Sequence, residues 1–473
     1  MKKLTNTLIG MALTLPFTTS AIAQAVANEV ETDEVERIIV TASKRPQTIQ
    51  DTAIAVSVTS AEDIEQAKVV DISDLQTLVP SLRVTPGPLS SVTSFAIRGF
   101  GSPATNVGVE PSVGVFIDGV FRSRAGGAIS DLPRLQRVEV LSGPQSTLFG
   151  KNASAGVVSV ITEAPSDVTE GRMEFSYGNY NQRIVKGYIS GGVTDELSMS
   201  LSAGMNQRDG FTTSLQPGVP DHDDRDRWNI RSQALWEISD DSMLRVIADF
   251  NKIDEICCTS PNIISGPVDG VIKALGGAVI DGEDAFSRES VLIKSSTNDI
   301  DDGGISIHLD VDFEDFSLTS ITAYRINDLT SFNPVGSSSL DSTKIDRTVD
   351  ISTFSQELRL TSTGDGPLSW IVGGFFFSED IQGDNVFQYG PSLRPYMDFL
   401  TSGFVGVLEG AFGIPEGTFF PDGAEIVYSE GQKNTDYSLF TSIDYQINDA
   451  FTASVGLNYT KDKKEAFVRE VKN

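Results

Sequence analysis

The sequence predicts an α+β domain followed by an antiparallel transmembrane β-barrel. Three observations support this fold class. An export signal at the N-terminus precedes a stretch of about 125 residues in which short helices and strands are mixed. The remainder of the chain alternates apolar and polar residues with period two. Its connections alternate between short and long, which is typical of outer-membrane barrels with short turns on one side and long loops on the other.

The composition limits the possible functions before any motif is considered. The 473 residues include 36 basic and 65 acidic side chains, so the net charge is −29. A chain this acidic would be repelled by a phosphate backbone, and a nucleic-acid partner is therefore not expected. Two cysteines and two histidines leave little for a disulfide framework or a zinc site. We predict neither a metal site nor a resident cofactor.

The first 25 residues have the pattern of a secretory signal peptide. Two lysines follow Met1, residues 4–17 are mostly apolar, and Ala21 and Ala23 have the spacing of a cleavage site, with cleavage after Ala23 or Ala25 equally compatible. An acidic linker follows within residues 26–45. No later apolar run is long enough for a membrane helix, so the exported protein is expected to be either soluble outside the cytoplasm or a β-barrel.

Residues 46–165 are predicted to form the α+β domain. Ser60 is a good N-cap for a helix that begins at Ala61, and a second helix is expected over 71–79, before Pro80. Strands are predicted where β-branched residues cluster and turn signals follow, at 113–120, 137–141 and 156–161.

Residues 166–473 are predicted to form the membrane barrel, because one face of each strand is apolar and the other is small or polar. Leu197, Met199 and Leu201, for example, are separated by serines. About eleven strands are expected, at 171–178, 183–192, 196–206, 227–238, 242–251, 303–312, 316–326, 350–361, 368–379, 435–447 and 450–461. Long loops are expected at about 207–226, 252–301, 327–349 and 381–433.

The odd strand count predicts an incomplete barrel, because bacterial single-chain barrels close with an even number of strands. An open edge would leave unpaired backbone groups facing lipid. We therefore expect the chain to be a fragment, or a truncated reading frame, of a longer protein. A strand overlooked within a long loop is the alternative.

Five segments together resemble the TonB-dependent outer-membrane receptors, and the longest of them is 137–156. Their residues are 36–42, 95–101, 115–120, 137–156 and 355–360. The resemblance implies a Gram-negative outer-membrane protein in which a plug domain fills a barrel of about 22 strands, the number given for plugged outer-membrane transporters. About half of that barrel would be present here.

The resemblance also implies a function, which is active uptake of a scarce ligand, most often a ferric siderophore. The expected partners are TonB with its inner-membrane energising complex, outer-membrane lipid and the small-molecule ligand, and the receptor is expected to be a monomer. A truncated, non-functional fragment and a passive channel are the alternatives. A signalling receptor would need an extra domain before Ile38, and an enzyme is not expected because no nucleophile elbow or phosphate loop is found.

The resemblance places the TonB-binding segment just after the acidic linker. Its short β-prone stretch could add to the edge of a partner sheet, where backbone hydrogen bonds would carry load. A first strand of the plug is the alternative reading of the same residues. The segment consists of Arg37, Ile38, Ile39, Val40, Thr41 and Ala42.

Plug arginines pair with barrel glutamates in the family, which implies a lock between Arg98 and Glu357. Relatives commonly carry arginine where this chain has Ser142, so a full four-charge lock is in doubt. Tight plug turns are predicted at Gly99, Gly143, Pro144 and Gly150. Cys257 and Cys258 lie in a long outer loop and form either a loop staple or inert thiols.

Overall fold

The structure is a computed structural model that describes residues 39–471, apart from 51, 86, 88–91, 104–105, 125–133 and 365. The predicted signal peptide, Arg37 and Ile38 lie outside the described residues. Within them, a small α+β domain precedes a sheet of eleven strands, as predicted. We call these parts the plug and the wall.

The described residues of the plug form ten short strands and two short α-helices. Its main sheet has the order β3-β9-β10-β7-β8, in which β10 and β7 are parallel and the other neighbours antiparallel. The strands are β1 (Ile39–Val40), β2 (Gln47–Thr48), β3 (Val56–Ser60), β4 (Leu82–Thr85), β5 (Ser94–Ile97), β6 (Phe100–Gly101), β7 (Val113–Ile117), β8 (Val120–Arg122), β9 (Leu135–Ser142) and β10 (Gly156–Thr162).

The predicted helix after Ser60 is confirmed as α1 (Ala61–Gln66). The Ser60 side chain accepts a hydrogen bond from the Asp63 amide, and the Asp63 carboxylate accepts one from the Ser60 amide. This reciprocal arrangement is a capping box. The second predicted helix is a 3-10 helix, Ile72–Thr77, capped in the same way by Asp71. A further helix, α2 (Ser146–Phe149), lies between β9 and β10.

The wall consists of eleven strands in chain order, each antiparallel to the next, and β11 and β23 form its edges. Two additional strands in the outer loops, β14 (Thr213–Ser214) and β17 (Glu289–Ser290), pair with each other. The wall strands are β11 (Glu170–Tyr177), β12 (Arg183–Gly192), β13 (Leu197–Arg208), β15 (Arg225–Ser239), β16 (Ser242–Ile256), β18 (Thr297–Asp312), β19 (Phe316–Pro334), β20 (Thr343–Ser362), β21 (Leu368–Tyr389), β22 (Glu425–Asn448) and β23 (Phe451–Val471).

All eleven predicted wall strands are confirmed, but most extend further at the loop end. β19 continues to Pro334 and β20 begins at Thr343, so the predicted loop at 327–349 shrinks to residues 335–342. In the same way, β22 begins at Glu425. Beyond the lipid-facing band the apolar alternation ends, although neighbouring backbones continue to hydrogen-bond. The outer loops also contain α3 (Pro267–Ala274), α4 (Leu393–Leu400) and α5 (Phe404–Phe412).

The two faces of the wall differ in polarity. The face away from the plug exposes large apolar and aromatic side chains, including Leu201, Tyr324 and Leu457. The opposite face shares a hydrophobic core with the plug, to which Ile72 and Ile300 both contribute. Apolar groups on the outside are typical of a lipid-facing wall. Among the described residues, the helices are too short and too polar to cross a bilayer.

Candidate functional site at the plug and wall interface

The first described residues of the chain are docked into the plug. β1 pairs with β2, so that Val40 lies opposite Gln47. Val40 and Ala42 are almost completely buried. The buried carboxylate of Glu139 on β9 accepts hydrogen bonds from the Thr41 amide at 2.9 Å and from the Thr41 hydroxyl at 3.1 Å. The described part of the predicted TonB-binding segment, residues 39–42, is therefore docked on the plug through pairing with β2 and through Glu139.

Two cations directly after this segment attach it to the wall. The Lys44 ammonium lies 2.7 Å from the Glu357 carboxylate on β20, and both side chains are at most one-tenth exposed. The same ammonium lies over the ring of Phe440. Burial lowers the pKa of Lys44, and the adjacent Glu357 carboxylate opposes that shift. Arg45 forms a second ion pair with Asp444 on β22, at 3.1 Å.

The predicted lock between Arg98 and Glu357 is wrong in its cation. Glu357 does lie buried on the inner face, but its cationic partners among the described residues are Lys44 and Arg359. Arg98 is exposed in the turn after β5, with a positive φ of 53°. A charge can remain hydrated at such a turn, whereas the inward carboxylate of Glu357 needs a partner that is buried with it.

A second contact between plug and wall is centred on Asp118, in the turn between β7 and β8. Its carboxylate accepts hydrogen bonds from the Thr162 amide and hydroxyl, at 2.9 and 2.8 Å. It forms an ion pair with Arg231 on β15, and Arg245 on β16 lies 3.8 Å away. Burial by itself would raise the pKa of Asp118, but Arg231 and Arg245 hold it below its ordinary value.

Further arginines of the plug insert among acidic groups of the wall. Arg124 lies 2.8 Å from Glu379 on β21. Arg122 is 3.7 Å from Asp249 and 3.8 Å from Asp302, and both carboxylates also pair with Arg325 of the wall. Several of these pairs are connected, because Asp249 also pairs with Arg231, the partner of Asp118. Breaking a buried pair by removing one partner is costly because the other charge stays buried.

Asp118→Asn should lower the free energy of unfolding by about 1.5–3 kcal/mol at pH 7, the range for hydrogen bonds to charged groups. The loss stays moderate because Arg231 retains Asp249 at 3.3 Å. Since the pKa of Asp118 is lowered by folding, its contribution is complete above about pH 4 and is lost as the pH falls through the lower, folded value.

Guanidinium unfolding of the protein in detergent micelles measures this effect. The difference from wild type should be present at pH 7 and shrink towards zero in strong acid. Asp312→Asn, at the exposed end of β18, is the matched control and should change stability by less than about 0.5 kcal/mol. An equal loss in both variants would contradict the role of Asp118.

The three glycines of the predicted plug turns have positive φ values, which suit glycine. Gly99, Gly143 and Gly150 have φ values of 83°, 88° and 81°. Gly143 has open space where a Cβ would lie, so its requirement is for the left-handed backbone and not for room. Pro144 follows it and leads into α2.

The remaining candidate groups are the two cysteines and the two histidines. Cys257 and Cys258 are joined in a disulfide at the end of β16, so the loop-staple interpretation is the correct one. His222 is buried in the first long outer loop, and His308 lies on the inner face of β18. Within the described part of the chain, we find no group of three or more histidine, cysteine or acidic side chains placed to hold a metal ion.

Sequence reasoning missed most of the residues that hold the plug. Lys44, Glu139 and Asp118 are not predicted as contact residues, although Asp118 and Glu139 lie in the segments 115–120 and 137–156 that support the family resemblance. An acidic residue between two β-branched apolar residues, as Glu139 is between Val138 and Val140 in β9, was the available signal. Nothing in the sequence indicates which wall cation faces Asp118.

Comparison with known proteins supports the assignment of the plug and wall. Residues 48–157 match the family model described as the TonB-dependent Receptor Plug Domain. An iron-regulated outer membrane virulence protein of Vibrio cholerae is 29% identical over 264 residues, covering 52% of this chain and 37% of the relative. A vitamin B12 transporter of Vibrio vulnificus is 28% identical over 212 residues, covering 42% and 32%.

Solved structures share the fold at low sequence identity. The ferric yersiniabactin uptake receptor of Yersinia pestis superimposes with a TM-score of 0.71 at 17% identity, covering 89% of this chain and 60% of that receptor. The present chain thus spans less than two thirds of the length of each of these three proteins. The chain thus contains a TonB-dependent receptor plug domain at residues 48–157, which precedes a wall of eleven strands, and it is similar to outer-membrane receptors of Gram-negative bacteria.

Proposed function

We propose that this protein takes up a scarce ligand across the outer membrane with energy delivered by TonB. A ferric siderophore is the ligand that we propose. The observation that carries the proposal is the docked segment that ends at Lys44 and Arg45. This docked segment, residues 39–45, begins with the strand β1, which pairs with β2 of the plug. Two ion pairs, Lys44–Glu357 and Arg45–Asp444, connect its end to the wall. A transport protein of this kind has no need of catalytic groups, and an enzymatic activity is not proposed.

Uptake against a gradient needs a source of work. Accumulating a ligand a thousandfold costs about 4 kcal/mol, at 1.4 kcal/mol for each tenfold step. A passive channel cannot supply this energy. A plug that shares a hydrophobic core with the wall also argues against a passive channel, because it occupies the inner face along which solutes would diffuse.

The segment Arg37 to Ala42 is proposed as the TonB-binding segment. A strand can join the edge of a partner sheet through its backbone hydrogen bonds. Val40 and Ala42 are buried in the docked state, so TonB would bind after the strand has left β2 and Glu139. Force applied there reaches the pairs Lys44–Glu357 and Arg45–Asp444 next, because only one or two residues of chain intervene.

Whole-cell uptake tests the proposal. Cells that carry the complete gene encoding this chain are supplied with a panel of radiolabelled ferric siderophores, in strains with and without TonB. We expect accumulation of at least one ferric siderophore with TonB and only surface binding without it. Equal accumulation in both strains would indicate a passive channel, and no accumulation of any panel member in either strain would contradict siderophore uptake.

A further inference from the structure

Aromatic side chains form a belt across the outer face of the wall, which is the face away from the plug. Phe354 on β20 lies opposite Tyr324 on β19, and Phe376 on β21 lies opposite Tyr437 on β22. The ring centres of Phe376 and Tyr437 are 5.0 Å apart. Aromatic rings in such a belt mark the boundary between the hydrocarbon core and the headgroups of a membrane. The aromatic belt consists of Trp228, Phe250, Tyr324, Phe354, Phe376, Tyr437 and Tyr459.

On β16 to β21, acidic side chains follow the aromatic belt towards the outer loops. Asp328 on β19 lies directly opposite both Asp301 on β18 and Asp350 on β20. Lys252 on β16 pairs with Asp299 and Asp301, at 2.5 and 3.0 Å. Like charges directly opposite each other repel, so this part of the outer face does not attract a further anion. We call it the acidic stretch, and it consists of Asp254, Asp299, Asp301, Asp328, Asp350 and Asp380.

The charge of the outer face changes sign at β23. The inner face of β23 is identified by its contacts with the plug, because Asp462 and Lys464 form ion pairs with plug residues at 2.9 and 3.0 Å. Successive side chains of a strand point to opposite faces. Lys461 and Lys463 therefore point to the outer face, and both are exposed.

The strand register brings a third lysine to the same place. Lys461 lies opposite Tyr437 of the aromatic belt, and Lys433 on β22 lies opposite Glu465, two residues beyond Lys463. Side chains at such diagonal positions are about 7–8 Å apart at the backbone. Lysine stems are long and flexible, so the three ammonium groups can meet at one anion. We call Lys433, Lys461 and Lys463 the lysine corner.

The lysine corner can accept a further anion because its own ion pairs are exposed. Lys463 lies 2.6 Å from Glu465, and Lys433 lies 3.3 Å from Asp380, with the two lysine side chains 70% and 67% exposed. Exposed pairs of this kind contribute little to stability and can exchange partners. Among the residues that the structure describes, no carboxylate lies within 4 Å of the Lys461 ammonium. The three lysines therefore exceed the two carboxylates that they contact.

We propose that the lysine corner binds the phosphate groups of an anionic glycolipid from the outer leaflet of the membrane. Two observations select a lipid over a free anion. Below the aromatic belt the outer face carries exposed apolar side chains, so lipid covers the wall up to Tyr437 and Tyr459. The lysine corner follows at the depth of the headgroups, where lysines attract anionic lipids. The acidic stretch repels the same phosphates, so the lipid is held on one side of the wall.

Lipid titration of the purified full chain in micelles of an uncharged detergent tests this proposal. The probes are lipid A with its phosphate groups and the same lipid without them. EDTA is present, so that no divalent cation can bridge a phosphate to the acidic stretch. Native mass spectrometry measures the bound lipid at each concentration. We expect the phosphorylated lipid to bind at least about tenfold more tightly, as two or more lysine contacts of about fivefold each would provide.

Two outcomes of the titration would overturn the proposal directly. One is comparable binding of the two lipids, and the other is no binding of the phosphorylated lipid. Displacement of the bound lipid by inorganic phosphate would identify a site for free phosphate and would overturn the choice of a lipid.

Lysine substitutions locate the contacts. Lys461→Gln and Lys463→Gln should each weaken binding of the phosphorylated lipid by about fivefold, and the triple variant with Lys433→Gln by about a hundredfold. Binding of the lipid without phosphates should change by less than about twofold in each variant. The three side chains are exposed, so we expect the variants to fold.

Lys252→Gln is the matched control. Lys252 also lies beside the aromatic belt, opposite Trp228, but it belongs to the surroundings of the acidic stretch. Its removal should leave the affinity within about twofold of wild type. An equal loss in Lys252→Gln and Lys461→Gln would contradict a localised site, and unchanged affinity in the triple variant would remove the lysine corner as the contact. The result does not depend on the proposed uptake, because lipid binding requires neither TonB nor the transported ligand.

Discussion

Val40→Pro should reduce uptake to the level of cells that lack TonB. Proline removes the backbone N–H of residue 40 and fixes its φ, so the segment loses a donor and part of its ability to join a partner strand. It also disturbs the pairing of Val40 with Gln47 in the docked state. The ligand site is expected to be untouched, so ligand affinity should change by less than about twofold.

The measurement compares uptake of the labelled ferric siderophore with its equilibrium binding to the same cells at low temperature. Val40→Ala is the matched control, because it also empties the buried space but keeps the backbone donor. Its uptake should stay well above that of Val40→Pro. Persisting uptake in Val40→Pro would show that TonB engages another part of the chain.

Glu357→Leu should lower the free energy of unfolding by about 3–5 kcal/mol, the range for breaking a buried ion pair by removing one partner. The Lys44 ammonium would be left beside the rings of Phe149 and Phe440 without a carboxylate. Lys44→Met should cost less, because Glu357 keeps Arg359 at 2.9 Å. Glu357→Leu should therefore be less stable than Lys44→Met. A general disturbance of the interface would instead destabilise both variants equally.

A double-mutant cycle measures the coupling between Lys44 and Glu357. It compares the free energy of unfolding by denaturant for the wild type, the two single variants and the double variant. The double variant Lys44→Met with Glu357→Leu should recover most of the loss, because replacing both members of a buried pair by apolar groups of similar volume is often neutral. Arg98→Ala should change stability by less than about 0.5 kcal/mol and show no coupling to Glu357. Additive losses for Lys44 and Glu357 would contradict the proposed contact.

The Lys44→Met variant also tests what holds the docked segment, residues 39–45, against the wall. If Lys44 holds the segment against the wall, Lys44→Met should increase cleavage near residues 39–45 by a protease added to the detergent-solubilised protein. Glu139 is a second anchor through Thr41, so cleavage should rise further when Glu139 is replaced by Gln in the same chain. Unchanged cleavage would mean that strand pairing with β2 suffices to hold the segment.

The strand pattern of the wall was predictable because it depends on local repetition. Each membrane strand must present apolar groups to lipid at every second residue. This alternation is visible in the sequence itself, as at Leu197, Met199 and Leu201. The start of α1 at Ser60 and the turn at Gly143 were predictable for a similar reason. A cap or a left-handed turn depends on one or two side chains and on the backbone next to them.

The loop ends of the strands were harder to predict. Above the lipid band, the strands that continue to Pro334 or begin at Glu425 are held by hydrogen bonds to their neighbours. Such pairing requires no apolar period, so the pattern that identified the strands ends before the strands do.

The sequence alone determined the order of plug and wall and the number of wall strands, since both are expressed by neighbouring residues. Only the tertiary structure decided that Lys44 and not Arg98 meets Glu357, and that Asp118 faces Arg231. The physical reason is that a charge pairs with whatever lies within about 4 Å in space. Lys44 and Glu357 are separated by 313 positions in the chain, so no local sequence pattern can indicate that the two side chains meet.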